Sequence, residues 1–378
     1  MKKQLLAGLV LAGMTAASMA QETIKVGAIY PLSGSNGPQG QSVVKAIEAM
    51  AGIINAEGGV LGRKIAVVPL DDSSVPAVGV SRANEAIAQK VSVIFEGWNS
   101  PVTLAMQPVI NRAGILDITT NSQADAIVSG EGNPLAIRMN TSNTQTANVM
   151  ADILAQDLKA KKIAWMAQDD SFGIGAQQAH EAGLAKLGYK YDKVASERFP
   201  FAQLDFRIPL TTVRASNPDA TVLISANQGQ GLPALIRQAR QVRIPGTLVA
   251  SVGILTPDVV KLAGERANGI LGADVYFPEV APFSTFQTNQ KFVKAFKEST
   301  GTLPDKNSAL AAAAVQVWAK TANDLKTLDK EPLAKHIRGG AFTDTVMGDI
   351  SFEANGQSKL NIYKFRVEDQ QIKIKTGS

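Results

Sequence analysis

The chain has no cysteine and only two histidines in 378 residues. Without cysteine there is neither a disulfide framework nor a lipid-modified cysteine. His180 and His336 each lie in a helical stretch among Lys, Glu and Ala, the setting of solvated helix-face residues rather than of metal ligands or general bases. No GxSxG elbow, no GxGxxG and no GxxxxGK[ST] is present, so the usual marks of a hydrolase nucleophile and of two phosphate cradles are missing. Aromatics make up only 6% of the residues. After residue 20 no uninterrupted apolar run reaches the ~18 residues of a membrane span. Charge of one sign is not concentrated either: the formal net charge is +5, with Lys and Arg scattered, which argues against a nucleic-acid partner. No cofactor or metal is expected.

The first twenty residues, MKKQLLAGLVLAGMTAASMA, have the form of a secretory signal. Lys2 and Lys3 give a positive start, a short apolar core follows, and Ser18-Met19-Ala20 fits a small-x-small cleavage site. The expected mature chain begins at Gln21, is exported to a bacterial periplasm and is not membrane-inserted. It exceeds one ordinary domain, so two lobes are expected.

Continuous β-branched runs recur with helical stretches between them: IKVGAIY (24–30), KIAVVPL (64–70), VSVIFEG (91–97), GILDITT (114–120), KIAWMAQ (162–168), ATVLISAN (220–227), TLVASVG (247–253) and GILGADVYF (269–277). Runs without alternation mark strands covered on both faces, as in parallel sheets. Between the first two, Val43, Val44, Ile47, Met50 and Ile54 form one helical stripe, closed by Gly58-Gly59. The fold class is α/β with two open parallel sheets. Near the end, GDISFEANG, KLNIYKFRV and QIKIK alternate apolar and polar residues, as a short antiparallel hairpin does.

PLSGSNGPQGQS (31–42) follows the first strand and places Gly34, Gly37 and Gly40 three apart. It lacks a phosphate fingerprint and reads as the rim of a cleft. Asp71-Asp72 could bind a cation, but with Ser73-Ser74 beside it helix capping or bonding to loop amides is the better reading, capping first. Ser42-Val-Val-Lys45, Ser225-Ala-Asn227 and Lys375-Thr-Gly377 reproduce the SxxK, SxN and KTG order of penicillin-binding enzymes. The chain between them reads as parallel α/β, so a serine acyl-enzyme is the unfavoured alternative. What stands out instead is a set of strand ends followed by small polar residues: Trp98-Asn99-Ser100-Pro101, Asn121-Ser122-Gln123, Asp169-Asp170-Ser171-Phe172-Gly173, Asn227-Gln228-Gly229 and Ser251. Ser100 is expected to cap the following helix, with Pro101 first in it. Carboxyl ends of parallel strands face the ligand crevice, and free amides at helix starts suit a carboxylate or carbonyl oxygen.

PLSG…G (31–40), INAEGGVLGRKIAVV…DDSS (54–74) and GDISFEANG (348–356) closely resemble the Leu/Ile/Val-binding-protein family, the type I periplasmic solute-binding proteins of ABC importers, over essentially the whole mature chain. The resemblance implies two Rossmann-like lobes, 21–141 with 276–340 and 142–275 with 341–378, joined by three hinge crossings. It implies no enzymatic activity, a monomer, and branched-chain-type amino-acid transport with membrane permease subunits as partners. A ligand-sensing module for a receptor or regulator is the alternative use of the same fold. Gln39 would lie near the ligand at the rim of lobe one; Trp98 and Asn99 join the expected site from the strand-end turns. Ser100 and Asn121-Ser122-Gln123 would hold a carboxylate, and Phe172 would supply lobe two's aromatic. Where the family carries a tyrosine and an acid for an α-ammonium, this chain has Asn227-Gln228 and Ser251. The acid is missing, with Asp169 or Asp170 as possible substitutes. A carboxylate or amide without an ammonium suits such a cleft at least as well as an amino acid.

Overall fold

The computed structural model describes residues 23–129 and 133–374; the signal-like segment and Lys375-Thr376-Gly377 lie outside them. The first sheet is built from β1 (Ile24–Tyr30), β2 (Ile65–Asp71), β3 (Val93–Glu96), β4 (Leu116–Thr119) and β5 (Ala136–Arg138), all parallel, in the order β2-β1-β3-β4-β5. The second contains β6 (Lys162–Gln168), β7 (Asp192–Phe199), β8 (Ala220–Ile224), β9 (Thr247–Ala250) and β10 (Leu271–Asp274), parallel in the order β10-β9-β8-β6-β7. β11 (Ala341–Thr345), β12 (Gly348–Phe352) and β13 (Ser358–Lys359) form a small antiparallel sheet. β14 (Tyr363–Glu368) and β15 (Gln371–Ile374) form a hairpin that adds antiparallel to β10.

The helices, in chain order, are α1 (Gly37–Ala56), α2 (Pro76–Ala88), α3 (Ser100–Ala113), α4 (Asn143–Asp152), α5 (Ser171–Lys186), α6 (Arg207–Ala215), α7 (Gly231–Gln241), α8 (Pro257–Ala263), α9 (Gln287–Thr300), α10 (Lys306–Leu325) and α11 (Lys330–Ile337). They cover both sheets, so β1, β3, β4, β6 and β8 are buried almost throughout, which is why their sequences run apolar without alternation. The stripe of α1 buries Val43, Val44, Ile47 and Met50, and α9 and α10 pack on this helix. Although late in the chain, α9 and α10 therefore pack beside the first sheet. β11 packs on α9 and α10 as well.

The chain crosses between the lobes after β5, after β10 and between β13 and β14. The first and third crossings are tied together. Arg138, fully buried, donates through Nε to Gln357 Oε1 (2.5 Å), Gln357 Nε2 donates to the Asn140 carbonyl (2.7 Å), and Ser358 Oγ donates to the Met139 carbonyl (2.6 Å).

Three local expectations are corrected. Ser100 is the first residue of α3 rather than its cap, which is Asn99; the serine hydroxyl turns to the neighbouring loop instead. His180 is not on a solvated face: it is fully buried on α5, stacked on Trp165, and burial pushes its pKa down to about 3. The Asp71-Asp72 pair bonds loop amides, of Leu32 and Ser73 through Asp71 and of Ser74 through Asp72, while Val75 precedes α2. His336 is exposed, as expected. Ser42 and Lys45 are not paired: Ser42 Oγ lies 3.4 Å from Ser308 Oγ and Lys45 bonds Glu48.

Candidate functional site

The two parallel sheets point their carboxyl ends at each other, and the loops leaving them meet around a narrow cavity of about 20 Å³. From the first lobe it is lined by Trp98, Ser100, Asn121, Ser122 and Gln123, with Lys306 and Asn307 at the start of α10. From the second it is lined by Phe172, Ala226, Gln228, Gly253 and Ile254. Trp98, Phe172, Ala226 and Ile254 give apolar walls; the remainder are polar or small.

Each polar group has a definite local reason for its position. β3 ends at Glu96 and α3 begins at Ser100, so Ser100 sits at the free-amide end of that helix. Its Oγ accepts from the backbone N–H of Gln123 (3.3 Å) and Ala124 (3.2 Å), which leaves the hydroxyl proton to donate. Ser122 Oγ lies 2.9 Å from Thr103 Oγ1, and Thr103 donates to Glu96 (2.7 Å). Glu96 is wholly enclosed, and burial pushes its pKa up to about 7 in spite of the Thr119 and Thr103 hydroxyls. Asn121 donates to Thr120 Oγ1 (3.1 Å), while its Oδ1 is buried without a hydrogen-bond partner.

The lobes touch around the cavity. Trp98 Nε1 donates to the Ala226 carbonyl (3.2 Å), as does Asn36 Nδ2 (3.1 Å), and Asn36 Oδ1 accepts from Gly229 N–H (3.0 Å). Asn307 Nδ2 donates to Gln228 Oε1 (3.2 Å). These bonds belong to a closed arrangement. They also place the 31–42 segment at the edge of the cleft, as expected.

Gln39, Asn99, Asn227 and Ser251 are buried nearby but do not line the cavity. Asn227 is committed to α7: its Oδ1 accepts from Gln230 and Gly231 N–H, and its Nδ2 donates to the Phe201 carbonyl. The backbone carbonyl of Asn99 serves the first turn of α3. Gln39 faces the Gly229 loop from α1. Ser251 leaves the lining to Gly253 and Ile254, two and three residues on. Neither substitute acid enters the site. Asp170 caps α5 by accepting from Phe172 and Gly173 N–H (3.0 Å each), and Asp169 is exposed. No Asp or Glu is among the lining residues.

Lys306 was not foreseen. It lies after Pro304-Asp305, far along the chain from the other lining loops, and only the packing of α10 on α1 brings it here. Asp305 caps α10 by accepting from Ser308 N–H (2.9 Å), so Lys306 is the first helical residue. It is 4% exposed. Burial lowers its pKa, opposed by Asp274 and Asp305, while burial raises that of Asp274 to about 7.

A fold and a site of this kind define a solute-binding protein, and the chain belongs to the periplasmic binding protein family, whose sequence profile matches residues 23–371. A Leu/Ile/Val-binding protein homolog 1 of Brucella abortus is 27% identical over 367 residues, covering 96% of this chain and 95% of that protein. Among solved structures, the leucine-binding protein LivK of Thermotoga maritima superposes with a TM-score of 0.83 at 22% identity, covering 94% of this chain and 98% of that one. An ABC-transporter solute-binding protein of R. palustris, solved with benzoate, has a TM-score of 0.82 at 21% identity, covering 93% of this chain and 95% of the other. The expected type I periplasmic binding architecture and family are thus borne out. Among the described residues no helix is long and apolar enough to cross a membrane.

Proposed function

We propose that the protein is the periplasmic receptor of an ABC importer, closing two lobes over a small solute with a carboxylate or amide head and presenting the closed form to membrane permease subunits. The observation that carries this is the cavity itself: both lobes line it, its walls are apolar, and its polar groups include no acid. A buried α-ammonium without a carboxylate partner is costly, so an ordinary zwitterionic amino acid fits poorly. One structural neighbour was solved with benzoate and a relative is named a Leu/Ile/Val-binding protein homolog; the missing acid favours the first chemistry. The protein is not an enzyme in this reading: it binds and releases. Export through cleavage after Ala20 and a monomeric state belong to the same proposal.

The ligand residues we assign are Trp98, Ser100, Asn121, Ser122, Gln123, Phe172 and Gln228 from the expected set, joined by Ala226, Gly253, Ile254, Lys306 and Asn307. Lobe one comprises 21–141 and 276–340; the segment 341–359 is moved to it from lobe two because β11 packs on α9 and α10. Lobe two comprises 142–275 and the β14–β15 hairpin. Thermal-shift assays against leucine, phenylalanine, benzoate, 4-methylpentanoate and benzamide test the reading. A ligand well above its dissociation constant raises stability by a few kcal/mol. Stabilisation by at least one of these solutes is expected, and none by any of them would contradict it.

A further inference from the structure

We propose that Lys306 is the anion receptor of the cavity, and that the solute class is an organic carboxylate without an ammonium group. This rests on the solute-receptor reading above and sharpens it. Three observations carry it. Lys306 is a buried cation on the cavity wall. Its ammonium lies beside another lining residue, since a Cβ placed on Gly253 would be 3.2 Å from Lys306 Nζ and 3.5 Å from Gln123 Nε2; Lys306 also borders a second cavity with Asp258, Asp274 and Asp305. Gln123 Nε2 already donates to Thr141 Oγ1 (3.3 Å) and to the Val252 carbonyl (3.4 Å), so Lys306 Nζ is the donor left for a ligand at this spot. Among the described residues no side chain or backbone acceptor hydrogen-bonds to Nζ and no carboxylate lies within ion-pair distance of it, since the acids acting on it, Asp274 of β10 and Asp305 before α10, act from further away.

A buried ammonium with no acceptor is strongly unfavourable unless something supplies one. A zwitterion would bring its own cation into the same small space, and an amide would offer only a neutral oxygen. A carboxylate supplies both the charge and the lone pairs. Gly253 has φ +75° and no side chain, which leaves the approach to Nζ open.

The acids around Lys306 add a second signature. A bound anion favours the charged lysine and disfavours the charged form of Asp274, whose pKa burial has already raised to about 7. Binding of a carboxylate therefore takes up protons near neutral pH, and affinity falls as pH rises above about 7. A neutral amide shows neither effect.

The test is isothermal calorimetry with benzoate, 4-methylpentanoate, benzamide and leucine, in phosphate and in Tris, on the wild-type protein, Lys306→Gln, Lys306→Arg and the double variant Lys306→Met/Asp274→Asn. The double variant removes both charges, so that loss of binding is not confused with an unpaired Asp274; circular dichroism checks each fold. We expect carboxylates to bind the wild type with proton uptake, with affinity lost about 30-fold or more in Lys306→Gln and in the double variant and largely retained in Lys306→Arg. Leucine or benzamide binding as tightly as the carboxylates, or carboxylate affinity unchanged in the folded Lys306→Gln protein, would overturn the assignment while leaving the receptor reading intact. If no carboxylate binds the wild type the assignment is overturned, and if no probe of any kind binds it the receptor reading falls too.

Discussion

The Ser100 hydroxyl serves the fold and, under the proposed function, the ligand as well. It accepts from two loop amides and keeps its own proton free, at the start of α3. Ser100→Ala should weaken carboxylate binding by about 1–2 kcal/mol, roughly tenfold; calorimetry at unchanged affinity would remove Ser100 from the site. Glu96 behind it makes a different prediction. Its carboxyl, raised to about 7 mainly by burial, and Asp117, raised by burial and by Glu96, are both shifted toward the protonated form inside the protein. For an acid whose folded pKa lies above its unfolded one, the stabilisation is complete below the unfolded value and is lost as pH rises through the folded one. Thermal stability should therefore fall between about pH 5 and 8, and Glu96→Gln should recover up to about 3 kcal/mol of that loss at pH 8. A melting temperature equally pH-dependent in both proteins would contradict this. Legibility at this scale followed chain position. Ser100, Ser122 and Phe172 were marked by their place just past apolar strands. Asn227 carried the same mark but spends its side chain on α7. Ala226, Gly253 and Ile254 bear no polar group to draw attention, and Lys306 reads in sequence as an ordinary residue of a helix start.

Among the elements, the continuous apolar runs identified the covered strands closely: β1 and β6 span the runs expected for them. β7, Asp192–Phe199, was missed because it is an edge strand largely open to solvent, with charged residues where a central strand carries valine or isoleucine. β5 has only three residues, too short for any periodicity. The alternating C-terminal stretches do make antiparallel structure, but it is divided between a small sheet on lobe one and a hairpin on lobe two, a partition set by tertiary packing. Element contacts across the cleft give a further prediction. A Cβ on Gly229 would come within 1.8 Å of the Ser35 carbonyl oxygen and 2.8 Å of Gln39 Oε1. Both contacts run between lobes and under the proposed function would be made on closure, while Gly229 has an ordinary backbone angle. Gly229→Ala should therefore leave the melting temperature of the ligand-free protein nearly unchanged and weaken ligand binding about tenfold or more, because the binding-competent closed state becomes rarer. Wild-type affinity in this variant would show that the loops at Ser35 and Gly229 need not meet.

For the whole molecule, the fold positions two sets of strand ends so that neither lobe alone encloses a solute. Phe172, Gln228 and Gly253 line the cavity opposite Trp98, Ser100 and Ser122, and under the proposed function a ligand touching both sets would stabilise the closed form by the difference. The three crossings supply the hinge, with Arg138 and Gln357 binding two of them together. Closure over a solute is the central claim, and the absence of native cysteine makes it directly measurable. Spin labels on Lys45→Cys of α1 and Gln230→Cys beside α7, both exposed positions on opposite lobes, report the inter-lobe distance by pulsed electron resonance. Saturation with the carboxylate that stabilises the protein most should shorten and narrow that distance, while a Lys45–Lys90 label pair within lobe one stays fixed. An inter-lobe distance distribution unchanged at saturating ligand would contradict a receptor that works by closing.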